Sequence, residues 1–126
     1  MLEKMLQKQK ELQDIIQSSF DRKSWDLLDI QERAHWIKEN VLYMQVEIAE
    51  FLQELPHFKS WKEYPENSSI YENSSLHEEY IDIMFFWLNI GLLLGLSATD
   101  IYNLYDNKHS INLQRATNKN YTRENN

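Results

Sequence analysis

The chain has 126 residues, 42% of them apolar, and only two glycines and two prolines. This length suffices for one domain with a core but not for two, and the composition predicts an all-α protein. A formal charge of −7 excludes a sequence-independent nucleic-acid binder, which needs a basic face. The absence of cysteine from the sequence excludes disulfides and thiolate metal sites.

The ends and the apolar runs of the sequence bear on its location. The first residues, MLEKMLQKQKE, are charged from the third position and lack the apolar region of a signal peptide. The only long uncharged apolar run, 83–96, is shorter than the roughly 20 residues that a membrane span requires. We therefore expect a soluble cytoplasmic protein that has no membrane partner.

Apolar residues at helical spacing predict a first helix over roughly 2–19. Gln9 and Gln13 lie four residues apart on or beside its apolar stripe. Taken alone, this placement is typical of solvated glutamines at the edge of such a stripe.

The second predicted helix starts at a capping box of Asp29 and Glu32 and ends at Pro56. Apolar residues within it recur at alternating spacings of three and four, which is typical of helix-bundle packing. Glu47 and Glu50 each precede one of these seam positions. A solvated glutamate at the edge of the seam is the alternative interpretation of either acid.

A polar connection over 57–75 follows and contains both aromatic residues and lysines. A connection of about 19 residues is long for a small bundle, and loops of this length are usually functional or disordered. The residues that favour a functional loop are Phe58, Lys59, Trp61, Lys62, Tyr64 and Tyr71.

The third predicted helix opens at Leu76 behind a cap of Ser75 and Glu78. Its later part has no polar face apart from Asn89, and a helix that is apolar all round must be buried all round. A single four-helix layer cannot cover it, so we expect a homodimer or a higher homo-oligomer. Gly91 and Gly95, four residues apart, would let another helix approach closely.

The fourth predicted helix is capped by Ser97 and Asp100. Lys108, Asn112 and Arg115 share one of its faces at spacings of four and three. We expect a single domain over 1–115 and a polar tail over 116–126 that substrate could order.

The candidate metal ligands are two acidic pairs, Glu47-x-x-Glu50 and Glu79-x-x-Asp82. Helical residues three apart lie on neighbouring turns of one face, so each pair can direct two carboxylates at one point. Apolar neighbours make these acids costly to desolvate unless a cation binds to them. Salt-bridged or solvated acids are the alternative interpretation. Carboxylates without thiolates favour Mg²⁺, with Mn²⁺ as a possible substitute.

A di-iron bundle is a competing interpretation, because Glu32-x-x-His35 and Glu54-x-x-His57 match its ligand motif. Pro56 breaks the helix inside the second motif. His35 also lies more than three helical turns from Glu47. Both observations disfavour iron.

The sequence resembles the all-α nucleoside triphosphate pyrophosphatases, the MazG-like group, and within them the dimeric (type 2) dUTPases. The matching segments are MLQKQKELQDI, VEIAEFLQE, FKSWK, EEYIDIMFF and NKHSINLQR. The acidic pairs are shared with the whole group, whereas FKSWK and the face of Lys108, Asn112 and Arg115 resemble the dUTPase branch. The resemblance implies an oligomeric four-helix bundle.

The resemblance also implies roles for individual residues. Glu47, Glu50, Glu79 and Asp82 would bind the Mg²⁺ ions that hold a triphosphate. Our own choice for the acid that orients the attacking water is Glu50, because it shares the metal cluster with Glu47. Lys108 and Arg115 would neutralise phosphates, and Asn112 would contact the nucleoside. The remaining substrate-binding candidates are Gln9 and Gln13, at the uracil edge, and Phe58, Lys59, Trp61 and Lys62 in the loop. The sequence departs from the family in having Gln13 where asparagine is usual and no glycine after Arg115.

The implied reaction is the magnesium-dependent hydrolysis of dUTP to dUMP and pyrophosphate, with a deoxyuridine nucleotide as the substrate. A MazG-like pyrophosphatase with a different or broader nucleotide preference is the alternative enzyme. A non-catalytic helical oligomerisation module is the alternative outside enzymes.

Overall fold

The computed structural model describes residues 1–65 and 68–118. Within these ranges the chain forms α helices and one 3₁₀ turn, with no strand, so the predicted all-α class is confirmed. The helices are α1 (Leu2–Ser19), α2 (Ile30–Glu54), α3 (Ser74–Leu93) and α4 (Ala98–Thr117), and the 3₁₀ turn is Trp25–Leu27.

Side-chain caps set the starts of three helices. Asp29 and Glu32 form the predicted capping box at α2, and Ser97 and Asp100 form the one at α4. The cap predicted for α3 is wrong by two residues. Asn73 is the N-cap there, because its Oδ1 accepts a hydrogen bond from the Leu76 amide at 3.1 Å, so α3 starts at Ser74.

Gly95 ends α3. Its φ of 74° is in the left-handed region, and the Leu96 and Gly95 amides donate to the carbonyls of Gly91 and Leu92, each at 3.0 Å. This is the hydrogen-bond pattern of a Schellman motif. Within the single chain nothing lies within 4 Å of the space that a Cβ would take at Gly95, so the approach of another helix at this position stays a prediction. At Gly91 a helix of the same chain does approach closely, because Ile101 of α4 lies 3.6 Å from the position that a Cβ would take.

α2 and α3 pack against each other in an antiparallel register that is constant along their length. Asn40 is hydrogen-bonded to Asn89, and the ring of Tyr43 lies 5.8 Å from that of Phe86. Each step forward along α2 is thus matched by an equal step backward along α3. The same register brings the acidic pair of α2 opposite the acidic pair of α3.

α1 packs on α3, also antiparallel, since its first two turns lie beside Leu92 and Leu96 and Gln9 lies beside Asn89. Near Gln9 and Asn89, a series of hydrogen-bonded, buried side-chain amides connects α1, α3 and α2. Gln9 donates to Asn89 at 2.8 Å, Asn89 to Asn40 at 3.0 Å, and Asn40 to the Trp36 carbonyl at 2.8 Å. The buried apolar residues of the described chain are Leu6, Trp25, Leu76, Leu88 and Leu93.

Much of the apolar surface of α3 remains uncovered in a single chain. Phe85 is 42% exposed and Trp87 is 47% exposed. The subunit interface expected over this helix stays a prediction.

The polar tail lies mostly outside the described residues. Ala116 and Thr117 continue α4, and Asn118 is its C-cap, while residues 119–126 are not described. No single helix in the described chain is long and apolar enough to cross a membrane, and α3 and α4 meet that test only as a pair bent by 103°.

Candidate functional site

Three carboxylates meet between α2 and α3, and we call Glu47, Glu50 and Glu79 the acid cluster. One carboxylate oxygen of each lies within 4.8 Å of those of the other two. Glu47 and Glu50 are one turn apart on α2, and the antiparallel register carries Glu79 of α3 to them. The convergence expected from the sequence is therefore present for these three acids.

The acid cluster lacks a compensating positive charge on the described part of the chain. Burial, hydrogen bonds to Glu79 and Glu50, and the charges of Glu50 and Asp82 together raise the pKa of Glu47 from 4.5 to about 7. Burial likewise raises the pKa of Glu79. The Oε2 atoms of Glu47 and Glu79 are buried, and among the described residues neither has a hydrogen-bond partner. Two orphaned carboxylate oxygens fit a hard divalent cation, which takes oxygen ligands.

Asp82, the fourth predicted ligand, is half-buried one turn beyond Glu79 and is not one of the three converging carboxylates. It is still near enough for its charge to raise the pKa of Glu47 and of Glu79. It also lines a hollow of 390 Å³ on the outer side of α3, with Ile81 and Phe85.

The long loop folds back onto α2 and encloses a hollow of 470 Å³. Phe58, Lys59 and Lys62 line it, as three of the predicted loop residues, whereas Trp61 is 81% exposed and does not. The other lining residues are Ala49, Leu52, Gln53 and Tyr64.

Tyr64 is the loop residue that the sequence-based site missed. Its hydroxyl accepts a hydrogen bond from the Lys59 amide at 3.0 Å, and its ring lies 5.7 Å from the Lys62 ammonium. It lies outside the FKSWK segment, and only its place in an aromatic-rich loop pointed to it. Tyr64 therefore contacts the backbone of Lys59 through its hydroxyl and the ammonium of Lys62 through its ring.

The two glutamines of α1 differ in their surroundings. Gln9 is only 4% exposed and donates its amide hydrogen to Asn89. Gln13 is half-buried and lies one turn nearer the acid-bearing half of α3, because α1 runs antiparallel to α3. Gln13 is therefore the more accessible of the two.

The structure does not bring the predicted phosphate ligands of α4 to the acid cluster. Lys108, Asn112 and Arg115 are all exposed, and α4 leaves α3 at a bend of 103°. The shared face expected from their spacing lies along a helix that is nearly perpendicular to α3.

Comparison with known families completes this account of the site. The family model described as dUTPase matches residues 1–94, about three quarters of the chain. The chain belongs to the dUTPase family. Membership makes it a hydrolase that acts on nucleoside triphosphates and has a dUTP diphosphatase-like function, as the sequence predicted. The match covers α1 to α3 with the acid cluster and the loop, and it ends before α4. No curated protein and no solved structure matches the chain.

Proposed function

We propose that this dUTPase-family chain hydrolyses dUTP to dUMP and pyrophosphate at the acid cluster, with Mg²⁺ as its cofactor and Mn²⁺ as a substitute. The observation that carries the proposal is the convergence of Glu47, Glu50 and Glu79 within 4.8 Å, with two of their oxygens buried and unpartnered. Such an arrangement is unfavourable when all three acids are ionised, unless a cation lies between them.

In this proposal Glu47, Glu50 and Glu79 hold the metal, and Asp82 completes the ligand set from the next turn of α3. The bound ion supplies positive charge that offsets the triphosphate and acidifies the attacking water. Because its pKa is raised to about 7, Glu47 would have to lose its proton before it could act as a metal ligand near neutral pH.

Glu50 orients the attacking water and accepts its proton, and Glu47 fixes the position of Glu50 within the cluster. The water oxygen forms a bond to the α-phosphorus, and the bond from that phosphorus to the bridging oxygen breaks. Pyrophosphate leaves with the electron pair of the broken bond. Lys59 and Lys62 line the hollow between the loop and α2, and they are the proposed source of positive charge for phosphate oxygens.

Recognition of uracil is assigned to Gln13 and Gln9, with Phe58 and Trp61 of the loop available to cover the base. A carboxamide offers both a donor and an acceptor to the pyrimidine edge. Lys108, Asn112 and Arg115 of α4 are the proposed contacts to phosphate and nucleoside. The proposed assembly is a cytoplasmic homodimer or higher homo-oligomer, supported by the uncovered apolar residues of α3.

A MazG-like pyrophosphatase with a broader nucleotide preference is the second candidate function. It is favoured by one observation: the amide nitrogen of Gln9 is already used by Asn89. A glutamine whose amide nitrogen is already hydrogen-bonded within the core is less able to distinguish uracil from cytosine.

A panel of nucleoside triphosphates, assayed with Mg²⁺ for pyrophosphate release, tests both candidates. We expect dUTP to be the preferred substrate and Glu47→Gln to abolish turnover. Glu54→Gln is the matched control, because Glu54 is an exposed glutamate at the end of the same helix. Equal rates on dUTP and dCTP would favour the broader enzyme, and no pyrophosphate release from any nucleotide would refute both.

A further inference from the structure

The side-chain amides of Gln9, Asn89 and Asn40 lie in the interior, where these residues are 4%, 3% and 3% exposed. Each amide donates one N–H to the next acceptor: Gln9 to Asn89, Asn89 to Asn40, and Asn40 to the Trp36 carbonyl. A carboxamide has a donor at one end and an acceptor at the other, so every bond depends on which way its neighbour faces. We call these three side chains the amide relay.

The Trp36 carbonyl gives the amide relay its direction. A backbone carbonyl only accepts hydrogen bonds, so Asn40 turns its nitrogen towards Trp36 and its oxygen towards Asn89. Asn89 must then turn its own oxygen towards Gln9, which meets it with its nitrogen. Reversing one amide would place two oxygens or two NH₂ groups face to face, and buried polar groups left unpaired are costly. The orientation of Gln9 is therefore set by a backbone group two side chains away.

The carbonyl oxygen of Gln9 is the free end of the amide relay. It accepts no hydrogen bond from the described residues, and it is not among the buried oxygens that lack a partner. It is therefore open to solvent or to a ligand. Because the nitrogen of the same amide is held by Asn89, this oxygen has one orientation rather than two.

Uracil and cytosine differ at the ring nitrogen N3 of their pairing edge. In uracil this atom carries a hydrogen and donates, whereas in cytosine it carries a lone pair and accepts. A fixed oxygen pairs with the first and repels the second, which is specificity through an unfavourable contact with the wrong partner. A glutamine that can turn over would suit either base.

The bond between Gln9 and Asn89 thus has two opposite consequences for a bound base. It withholds one N–H of Gln9 from the base, and this favours the broader candidate function. It also prevents Gln9 from turning over to offer its nitrogen to cytosine, and this favours uracil. Which consequence dominates depends on how firmly the amide relay holds its direction, and its burial and its backbone terminus favour a firm hold.

We propose that Asn40 and Asn89 are positioning residues that fix Gln9 as a hydrogen-bond acceptor and so select a base edge that presents N–H at N3. This inference rests on the proposed function, because it takes Gln9 as a contact to the base. Neither asparagine needs to touch the nucleotide. Their effect on base selectivity passes through Gln9 alone.

A double-mutant cycle tests whether Asn89 acts through Gln9. The readout is the ratio of kcat/KM for dUTP to that for dCTP, because a loss of folded protein lowers both values equally and leaves their ratio unchanged. We expect Asn89→Leu and Gln9→Leu each to lower the ratio about three- to tenfold, the net effect of one hydrogen bond. The double variant should match Gln9→Leu alone, since without Gln9 the relay has nothing to position.

Two further variants sharpen this experiment. Asn40→Leu should also lower the ratio, although it leaves the Asn89 side chain in place, because Asn89 is then free to turn over. Gln17→Leu is the matched control, since Gln17 is a buried glutamine of the same helix that donates to the Lys23 carbonyl outside the relay. It should leave the ratio at the wild-type value.

The outcomes separate this inference from the proposed function. A wild-type ratio in both Asn89→Leu and Asn40→Leu overturns the inference and leaves the proposed function standing. So does a double variant in which the two losses multiply, because Asn89 would then act independently of Gln9. A ratio near one in the wild type removes the uracil preference itself, and with it the selectivity assigned to the relay.

Hydrogen exchange of the side-chain amides gives a readout that does not depend on turnover. In ¹⁵N-labelled wild-type protein without nucleotide, the NH₂ signals of Gln9 and Gln13 are identified by their loss in Gln9→Leu and Gln13→Leu. We expect the Gln9 hydrogens to exchange at least about tenfold more slowly than those of half-buried Gln13. Asn40→Leu should speed the exchange at Gln9. Equal exchange rates at the two glutamines of the wild type would overturn the inference.

Discussion

Glu47 is a half-buried carboxylate with several other acids around it. It has a buried oxygen without a described partner, and its neighbours Glu50, Glu79 and Asp82 are all acids. A carboxyl group in such surroundings keeps its proton to a higher pH than it would in water. If the proposed divalent cation binds here, it competes with this proton.

The first prediction concerns the pH dependence of the metal-free protein. The pKa of Glu47 is about 7 in the folded chain and 4.5 without the surrounding structure, so the folded state binds the proton more tightly. The stabilisation from this group is complete below about pH 4.5 and is lost as the pH rises through about 7. We expect the melting temperature without metal to fall between pH 5.5 and 8. Glu47→Gln, which cannot ionise, should reduce this slope, and an unchanged slope would contradict the assignment.

The second prediction concerns metal binding. Mg²⁺ should raise the melting temperature of the wild-type chain at pH 8, because it relieves repulsion among the ionised acids. The gain should be smaller at pH 6, where Glu47 retains its proton. Asp82→Asn should weaken the gain, whereas Glu54→Gln should leave it intact. A melting temperature that is indifferent to both Mg²⁺ and Mn²⁺ would argue against the site.

At the scale of single helices, the two glycines of α3 have opposite roles, and this gives the third prediction. Gly95→Ala should lower the free energy of unfolding by about 1–2 kcal/mol, because φ at this position is 74° and an L-residue is strained there. Gly91→Ala should leave it unchanged or raise it by up to about 1 kcal/mol, since alanine is preferred inside helices. The added methyl would meet Ile101 at an ordinary contact distance of 3.6 Å. Urea denaturation of the pair checks the difference, which a loss at Gly91 equal to that at Gly95 would contradict.

The helices themselves were largely predictable from local chemistry. Two capping boxes and the spacing of apolar residues gave α1, α2 and α4 to within two residues, because these signals lie within one helix. The start of α3 was missed because Asn73 competes with Ser75 as a cap, and the sequence alone does not choose between them. Likewise, nothing local distinguishes a glycine that ends a helix, such as Gly95, from one that admits a neighbour.

The candidate site was predictable where its geometry follows from helix spacing. Glu47 and Glu50 had to share a face, and pairing with Glu79 followed once α2 and α3 packed in register. The loop and α4 were less predictable. The exposure of Trp61 and the contacts of Tyr64 depend on how an irregular segment folds back. The direction of α4 depends on a bend that no residue pattern specifies.

At the scale of the whole molecule, the uncovered apolar side of α3 gives the fourth prediction. Trp87 lines a hollow of 220 Å³ with Met44, Tyr80, Ile83 and Met84. If a second copy covers it, Trp87→Glu buries an unpaired charge and should weaken association by about 3 kcal/mol or more. Sedimentation of the variant should then show monomers at concentrations where the wild type is dimeric.

Tyr71→Glu is the matched control for Trp87→Glu, because Tyr71 is an exposed aromatic residue in the long loop, away from α3. It should leave association unchanged. A wild-type chain that sediments as a monomer at micromolar concentration would refute the interface.

The buried amides also bear on how the two acid-bearing helices find each other. A slip of α2 along α3 by one turn would separate Asn40 from Asn89 and leave their buried groups unpaired, at a cost of about 1–3 kcal/mol for each group. A heptad seam of similar apolar residues tolerates such slippage, whereas this polar pair does not. The alignment in which the amides meet is also the one that gathers the carboxylates. The neutral side chains of Asn40 and Asn89 therefore favour the one alignment of α2 and α3 that brings the carboxylates together.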